Sequence, residues 1–153
     1  MEPHYYNVNV NWNKDRKGIM CSPELNNSEE QVNNCIEVAT PPQFAKGVPN
    51  IWSPEHLFTA AVNSCFMTTF LSIAENSRLD FMSFSCEGKG KLEQVEGKFL
   101  MTEVVLEPTL VIANEADKEK AERILQKSKV ACLISNSIKS KVSLVTTITV
   151  ANV

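Results

Sequence analysis

The sequence lacks the features that mark nucleic-acid-binding and secreted proteins. Its 153 residues carry 15 Lys and Arg against 18 Asp and Glu, which gives a formal net charge of −3. Nucleic-acid-binding domains concentrate basic residues on one face, and this composition argues against nucleic acid as the main partner. The chain also does not open with a basic and apolar signal segment. We therefore expect a cytoplasmic protein.

Long hydrophobic runs are missing as well. The most apolar stretch, from Leu57 to Ala74, is interrupted by Asn, Ser and Thr, whereas a membrane-spanning helix needs about 20 mostly apolar residues. We interpret this stretch as a core helix and expect no membrane partner. There is no internal repeat or low-complexity tract, and 43% of the residues are hydrophobic. Both observations favour a single domain that spans residues 1–153.

Cysteine pairs of the CxxC type are absent too. The five cysteines are odd in number and are accompanied by only two histidines. Disulfide frameworks are typical of secreted chains, and structural zinc sites need closely spaced ligands. We therefore expect free thiols in the resting cell, with no metal and no cofactor. For Cys21, Cys35 and Cys86 we expect a role in packing.

One long helix is predicted from Pro54 to about Asn76. Ser53 is a good N-cap, Pro54 suits the first helical position, and Glu55 places a negative charge in the first turn. Apolar residues cover nearly the whole circumference of this segment. That pattern indicates a helix buried on most sides, and Cys65 lies at its middle.

Strands are predicted on both sides of this helix. Tyr6, Val8, Val10 and Trp12 alternate with polar residues, which indicates a half-buried strand. Residues 13–18 have the composition of a turn. Further strands are predicted at 19–22, 35–39, 82–91, 99–106 and 142–150, and a second helix at 115–130. The order β-β-β-α-β-β-α-β indicates an α+β fold with an antiparallel sheet.

The second helix brings another cysteine toward the core. Its apolar face is predicted at Ala121, Ile124, Leu125, Ser128 and Ala131, and Cys132 continues the spacing of three or four residues. A buried free cysteine is usually a small core residue. However, Cys65 and Cys132 each lie toward the buried face of one of the two helices, and both helices are expected to pack on the same sheet. If they meet, the pair has the layout of a redox centre, in which a sulfenic acid condenses with a second thiol.

Two motifs resemble those of the osmotically inducible protein C and organic hydroperoxide resistance (OsmC/Ohr) family. Residues 53–61, SPEHLFTAA, with Ser64-Cys65-Phe66, resemble its signature helix. Residues 131–137, ACLISNS, resemble its second motif. The resemblance extends to the opening strand with Trp12, to residues 40–42 and to the closing strand, so it covers essentially the whole chain.

This resemblance implies an intertwined homodimer in which antiparallel sheets wrap long central helices. It also implies a peroxidatic cysteine at Cys65 and a resolving cysteine at Cys132. Glu55 matches the family's glutamate, and Arg16 is the best match to the arginine of the Ohr type. The OsmC type instead has an arginine in the loop before the helix, where this chain has Gln43-Phe44.

Physical chemistry gives independent reasons for these roles. Cys65 is too far from the helix N-terminus for the helix dipole to lower its pKa, and burial would raise it. A guanidinium held by a carboxylate would stabilise the thiolate. Because ten helical residues rise about 15 Å, Glu55 is expected to reach Cys65 from a second subunit, together with Arg16. Alternatively, Glu55 is only a first-turn charge and Arg16 an exposed turn residue.

We therefore expect a thiol peroxidase that reduces organic hydroperoxides and is itself reduced by a small dithiol or a dithiol-carrying protein. Apolar substrate walls are predicted at Phe58, Phe66, Met67 and Phe70. Leu133 replaces the proline that often follows the resolving cysteine, so the second helix is expected to be able to continue. Three alternatives remain: a small-molecule-binding dimer, a structural protein with inert thiols, and other thiol chemistry on the same scaffold.

Overall fold

The computed structural model of the protein describes residues 1–25 and 34–151. Its elements, in chain order, are β1 (Asn9–Lys14), β2 (Lys17–Cys21), β3 (Cys35–Ala39), α1 (Pro54–Asn76), β4 (Phe81–Val95), β5 (Lys98–Ile112), α2 (Lys118–Ala131), α3 (Leu133–Ser137), β6 (Lys141–Leu144) and β7 (Thr147–Val150). Backbone contacts divide the chain into two compact units, residues 1–57 and 58–153. The expectation of a single domain stays a prediction.

The first unit is an antiparallel sheet in the order β1-β2-β3. The β1–β2 hairpin turns at Asp15 and Arg16, and Asp15 has a φ of 50°. The predicted strand at 35–39 is confirmed. The expectation that β1 is half-buried is wrong for this chain, since every residue of β1 is exposed and Trp12 is 78% exposed. Alternation shows that β1 has an apolar face, but not what covers that face.

Helix α1 begins where its capping residues predict. Ser53 is almost fully buried, and its hydroxyl accepts a hydrogen bond from the His56 backbone N–H at 3.3 Å. In return, Nδ1 of His56 lies 2.8 Å from that hydroxyl and accepts a bond from the Ser53 backbone N–H at 3.3 Å. This is the reciprocal arrangement of a capping box, with His56 in the place of the usual Glu or Gln. Sequence reasoning had assigned no role to His56.

The second unit is built on the long antiparallel hairpin of β4 and β5. The expected antiparallel sheet is confirmed for this pair, whereas β6 and β7 lie parallel to β5. Pro108 lies inside β5 opposite Cys86, although sequence reasoning ended the strand before it. The interruption between β6 and β7 falls beside Glu107 and Pro108, where proline has no N–H to donate to a neighbouring strand.

The core of the second unit lies between this sheet and one face of each long helix. Helix α1 contributes Val62, Phe66, Phe70 and Ala74, and α2 contributes Ala121, Ile124, Leu125 and Ser128. The α2 positions agree with prediction except for Ala131, which is exposed. Helix α1 is less enclosed than expected, because Met67 and Leu71 are 39% and 41% exposed. Among the described helices, α1 alone is long and apolar enough to cross a bilayer, a test that a core helix also passes.

Helix α1 approaches β4 closely where the strand carries glycine. A Cβ on Gly90 would overlap the Thr59 hydroxyl, and a Cβ on Gly88 would lie 3.0 Å from the Asn63 amide nitrogen. That nitrogen donates a hydrogen bond to the Cys86 carbonyl at 2.9 Å. The absent side chains therefore let α1 lie directly against the strand. This contact fixes the distance between α1 and β4, and with it the position of Cys65 in the second unit.

Candidate redox site at Cys65 and Cys132

Cys132 sits at a sharp change of direction between two helices. Helix α2 ends at Ala131, Cys132 adopts an extended conformation with φ −64° and ψ 113°, and α3 begins at Leu133. The Asn136 N–H donates to the Cys132 carbonyl at 3.1 Å, which closes the first turn of α3. The expectation that Leu133 would let α2 continue is therefore wrong. Cys132 is fully buried at this junction.

The sulfur of Cys65 accepts hydrogen bonds from four groups. They are the backbone N–H groups of Leu133 and Ile134, the thiol of Cys132 and the hydroxyl of Thr69, which lies one turn further along α1. Burial raises the pKa of Cys65. The hydrogen bonds, that from Ile134 first, outweigh burial and leave the pKa below the usual value of 9.0. The site thus stabilises a thiolate at Cys65.

Cys132 has the opposite character. Burial raises its pKa, and the Cys65 sulfur raises it further by accepting the Cys132 hydrogen bond and by its own charge. The nearby side chain and backbone N–H of Ser135 lower the pKa of Cys132 without reversing the shift. The two sulfurs therefore differ in acidity: Cys65 gives up its proton more readily than Cys132, which donates to it.

The local fold explains the backbone donors. The first N–H groups of any helix have no carbonyl partner within that helix, and at α3 those of Leu133 and Ile134 point to Cys65. Sequence reasoning expected a guanidinium to stabilise the thiolate and missed these amides. The motif that follows Cys132 was recognised, but nothing in it predicts that α2 stops one residue before the cysteine.

Comparison with known proteins assigns the family. The family described as OsmC-like protein matches residues 47–147, well over half of the chain and both cysteine motifs. The chain belongs to the OsmC-like family. This confirms the resemblance to OsmC/Ohr proteins and the expected α+β fold.

Individual OsmC-like relatives are distant in sequence but similar along their whole length. The uncharacterized protein YmaD of Bacillus subtilis is 21% identical over 147 residues, which cover 94% of this chain and 93% of YmaD. An OsmC-like protein of unknown function from Vibrio cholerae superposes with a TM-score of 0.80 at 23% identity, covering 94% of this chain and 99% of that one. An organic hydroperoxide resistance protein from Elizabethkingia anophelis superposes with a TM-score of 0.72 at 19% identity, covering 98% of this chain and 99% of that one.

Two of the four predicted catalytic residues of this OsmC-like protein belong to the first unit. Arg16 is exposed in the β1–β2 turn, where its carbonyl accepts a hydrogen bond from the Thr40 N–H at 3.1 Å. Across the described ranges, 1–25 and 34–151, its guanidinium forms no ion pair. Glu55 is half-buried in the first turn of α1. The roles of both residues stay predictions.

Two of the four predicted substrate-wall residues, Phe66 and Phe70, lie in the core of the second unit. Phe66 and Phe70 are fully buried, and the Phe70 ring stacks on Phe84 with centroids 4.6 Å apart. Phe70 also meets Phe81 edge-on at 5.4 Å. Both side chains belong to the core, where they contact other aromatic rings instead of an open groove. Phe58 is half-buried against this core and Met67 is partly exposed, so their predicted role remains untested.

The remaining cysteines also differ from expectation. Cys21 and Cys35 form a disulfide across β2 and β3 with an S–S distance of 2.04 Å, so the prediction that they are free thiols was wrong. The odd number of cysteines in the chain does not reveal which strand positions face each other. The pairing of β2 with β3 places Cys21 opposite Cys35. Cys86 is a free thiol on β4, and burial raises its pKa to about 11.

Proposed function

We propose that this OsmC-like protein is a thiol peroxidase that reduces organic hydroperoxides to alcohols, with Cys65 as the peroxidatic and Cys132 as the resolving cysteine. One observation carries the proposal: Cys65 has a lowered pKa while it accepts a hydrogen bond from the thiol of Cys132. A thiolate is the nucleophilic form of cysteine. A second thiol in direct contact is what resolution to a disulfide requires.

The proposed reaction follows from this arrangement. The Cys65 thiolate attacks the terminal oxygen of the peroxide and breaks the O–O bond. Cys65 becomes a sulfenic acid, and the alkoxide leaves and takes up a proton to give the alcohol. The Cys132 sulfur then displaces the hydroxyl from Cys65, so that a disulfide forms and one water is released.

A dithiol completes the proposed cycle. Its first thiolate opens the Cys65–Cys132 disulfide, its second thiol closes on the first, and two electrons return to the protein. The reductant is a small dithiol or a dithiol carried by another protein. Cytoplasmic localisation is part of the same proposal, since cytosolic dithiol systems keep such thiols reduced.

A homodimer is the proposed assembly. The Val10 and Trp12 side chains on β1 are 61% and 78% exposed, and an exposed apolar strand face of this kind is typical of an interaction surface. A second copy that covers β1 would also let one subunit supply Arg16 and Glu55 to the site of the other. In the proposed reaction the Arg16 guanidinium, held by the Glu55 carboxylate, stabilises the departing alkoxide, while the backbone amides hold the thiolate.

The proposal is tested by mixing the reduced full-length protein with cumene hydroperoxide and, separately, with hydrogen peroxide in a stopped-flow instrument. We expect fast consumption of the organic peroxide and a Cys65–Cys132 disulfide in the peptide mass spectrum. Cys65→Ser should abolish both. Cys132→Ser should still consume one equivalent but leave Cys65 as a sulfenic acid that dimedone traps. Cys86→Ser, which removes a thiol outside the site, is the matched control and should match the parent protein.

A specific observation favours one alternative, a small-molecule-binding protein. The first unit contains an open cavity of about 510 Å³ lined by Trp52, His56, Gln43, Asn50, Ile51 and two prolines, a volume in the range of ligand pockets. If both thiols stay reduced while peroxide persists for minutes, the peroxidase proposal is wrong. Binding at this cavity then becomes the better hypothesis.

A further inference from the structure

The β2–β3 ladder carries a cysteine pair that the peroxidase chemistry does not use. Cys21 and Cys35 are the last pair of this ladder, with Cα atoms 4.1 Å apart and the two sulfurs bonded. They belong to the first unit, whereas Cys65 and Cys132 belong to the second. We propose that Cys21–Cys35 is a second thiol–disulfide exchange site, independent of Cys65–Cys132, whose reaction partner is a small dithiol.

The pair is placed where a small reagent can reach it. Exchange requires a thiolate to approach a sulfur along the S–S axis, which a fully buried disulfide prevents. Cys21 and Cys35 are both half-buried, and neither belongs to the hydrophobic core. A disulfide that a small thiolate can reach in this way is open to exchange, unlike one enclosed in a core.

The sheet itself holds the two thiols together when the bond is open. On one side of the pair, the β2–β3 register runs from Lys17 opposite Ala39 to Met20 opposite Ile36. On the other side, the Ser22 N–H donates to the Asn34 carbonyl at 3.1 Å, and the Asn34 side chain donates to the Ser22 carbonyl at 3.0 Å. Reduction therefore leaves the thiols facing each other, and the bond re-forms at high effective concentration.

The exchange is a balanced two-electron reaction. One thiolate of the dithiol attacks a protein sulfur, forms a mixed disulfide and releases the other cysteine as a thiolate. The second thiol of the reagent then displaces the first cysteine and closes a cyclic disulfide. Two electrons and two protons pass from the dithiol to Cys21 and Cys35. The oxidised reagent reverses every step.

The experiment equilibrates the full-length protein with mixtures of reduced and oxidised dithiothreitol. Each mixture is quenched in acid and alkylated in denaturant, and the cysteine peptides are measured by mass spectrometry. We expect the Cys21–Cys35 disulfide to pass from complete to absent across the series, with the same curve from both directions and no change in far-ultraviolet circular dichroism. The Cys65→Ser/Cys132→Ser double variant should give the same curve. Cys86, a lone thiol, is the internal control and should be alkylated throughout.

Three outcomes would overturn the proposal. If the disulfide opens only after denaturation, it is a permanent structural bond. If both cysteines are alkylated even in the most oxidising mixture, there is no redox couple. If the curve shifts in the Cys65→Ser/Cys132→Ser variant, the pair is not independent of the peroxidase site. Because peroxide is never added, failure here is distinct from failure of the proposed peroxidase function.

Discussion

At the scale of single residues, the state of Cys65 depends on neutral donors. Two backbone amides, one thiol and one hydroxyl hydrogen-bond its sulfur, and each donor stabilises the thiolate without carrying a charge. Hydrogen bonds to an ionised group are stronger than neutral ones. This gives Thr69 and the start of α3 a positioning role that can be separated from that of Arg16.

Thr69→Val should raise the pKa of Cys65, because the substitution removes a hydroxyl that donates to the thiolate. Alkylation of Cys65 by iodoacetamide at neutral pH should slow roughly fivefold, as expected for a hydrogen bond worth about 1 kcal/mol. The pH dependence of the rate, which should begin below the usual thiol value of 9.0 in the parent protein, should move to higher pH.

Thr68→Val provides the matched control for that substitution. The Thr68 hydroxyl donates to the Cys65 carbonyl at 3.0 Å, not to the sulfur, so its loss should leave the alkylation profile in place. Equal slowing in both variants would mean that the hydroxyls act through the helix rather than on the thiolate.

Cys86 should make the stability of the protein fall at alkaline pH. The folded protein holds the Cys86 proton up to about pH 11, whereas the unfolded chain releases it near 9.0. The contribution of the Cys86 thiol to the free energy of unfolding is therefore complete below pH 9.0 and is lost as the pH rises through about 11. A shift of this size corresponds to about 2.7 kcal/mol, which we reduce to about 1 kcal/mol because the thiol is only half-buried.

Cys86→Ala removes this titration. The difference in the free energy of unfolding between the parent and Cys86→Ala, measured by urea denaturation in reducing buffer, should shrink between pH 9 and 11. A difference that stays constant over this interval would contradict the raised pKa. Comparing the two proteins at each pH cancels the titration of lysines and tyrosines.

At the scale of elements, local signals predicted both ends of α1 but not the break between α2 and α3. Ser53 and Pro54 define the start of α1 through backbone groups only a few residues away. The break between α2 and α3 is different. It falls at Cys132 without a proline or glycine, and the first amides of α3, which it leaves without helical partners, bond to a sulfur on another helix. Sequence patterns describe neighbours along the chain, so they could not predict this part of the site.

The reciprocal cap at the start of α1 should contribute measurably to stability. Ser53→Ala removes the hydroxyl that accepts the His56 N–H and contacts Nδ1 of His56. We expect a loss of about 1 kcal/mol in the free energy of unfolding. His56→Gln, which keeps a side chain able to accept from the Ser53 N–H, should cost less.

Ser64→Ala is the control for the cap. Its hydroxyl lies in the middle of α1, is exposed, and donates only to the Ala61 carbonyl at 3.4 Å. Its removal should change stability little, since serine is not favoured inside a helix. If Ser53→Ala proved no more destabilising than Ser64→Ala, the cap would have no energetic role.

At the scale of the whole molecule, sequence reasoning recovered the family, the order of the main elements and the two cysteine motifs. It missed the Cys21–Cys35 disulfide because that bond depends on the register between β2 and β3, which composition does not contain. It also placed Trp12 in a half-buried strand. The alternation that suggested this is present, but within the described part of the first unit no layer covers it.

The exposed face of β1 leads to the last prediction. Leaving Val10 and Trp12 in water is unfavourable by roughly 1.5–3 kcal/mol for each fully exposed side chain, and a second copy of the chain would remove that cost. In sedimentation velocity we expect the 17.1 kDa chain to behave as a dimer. Val10→Ser/Trp12→Ser should shift it toward monomer, with circular dichroism unchanged because both residues are exposed.

Met82→Ser/Val145→Ser is the matched control for the dimer, because these two side chains are exposed to a similar degree, 67% and 56%, but lie outside β1. Removing them should leave the dimer intact if the contact is specific to β1. A parent protein that sediments as a monomer would contradict the assembly. It would also leave Arg16 and Glu55 without a route to a neighbouring site, so that the departing alkoxide would lose the guanidinium while the Cys132 thiol, Thr69 and the α3 amides still held the thiolate.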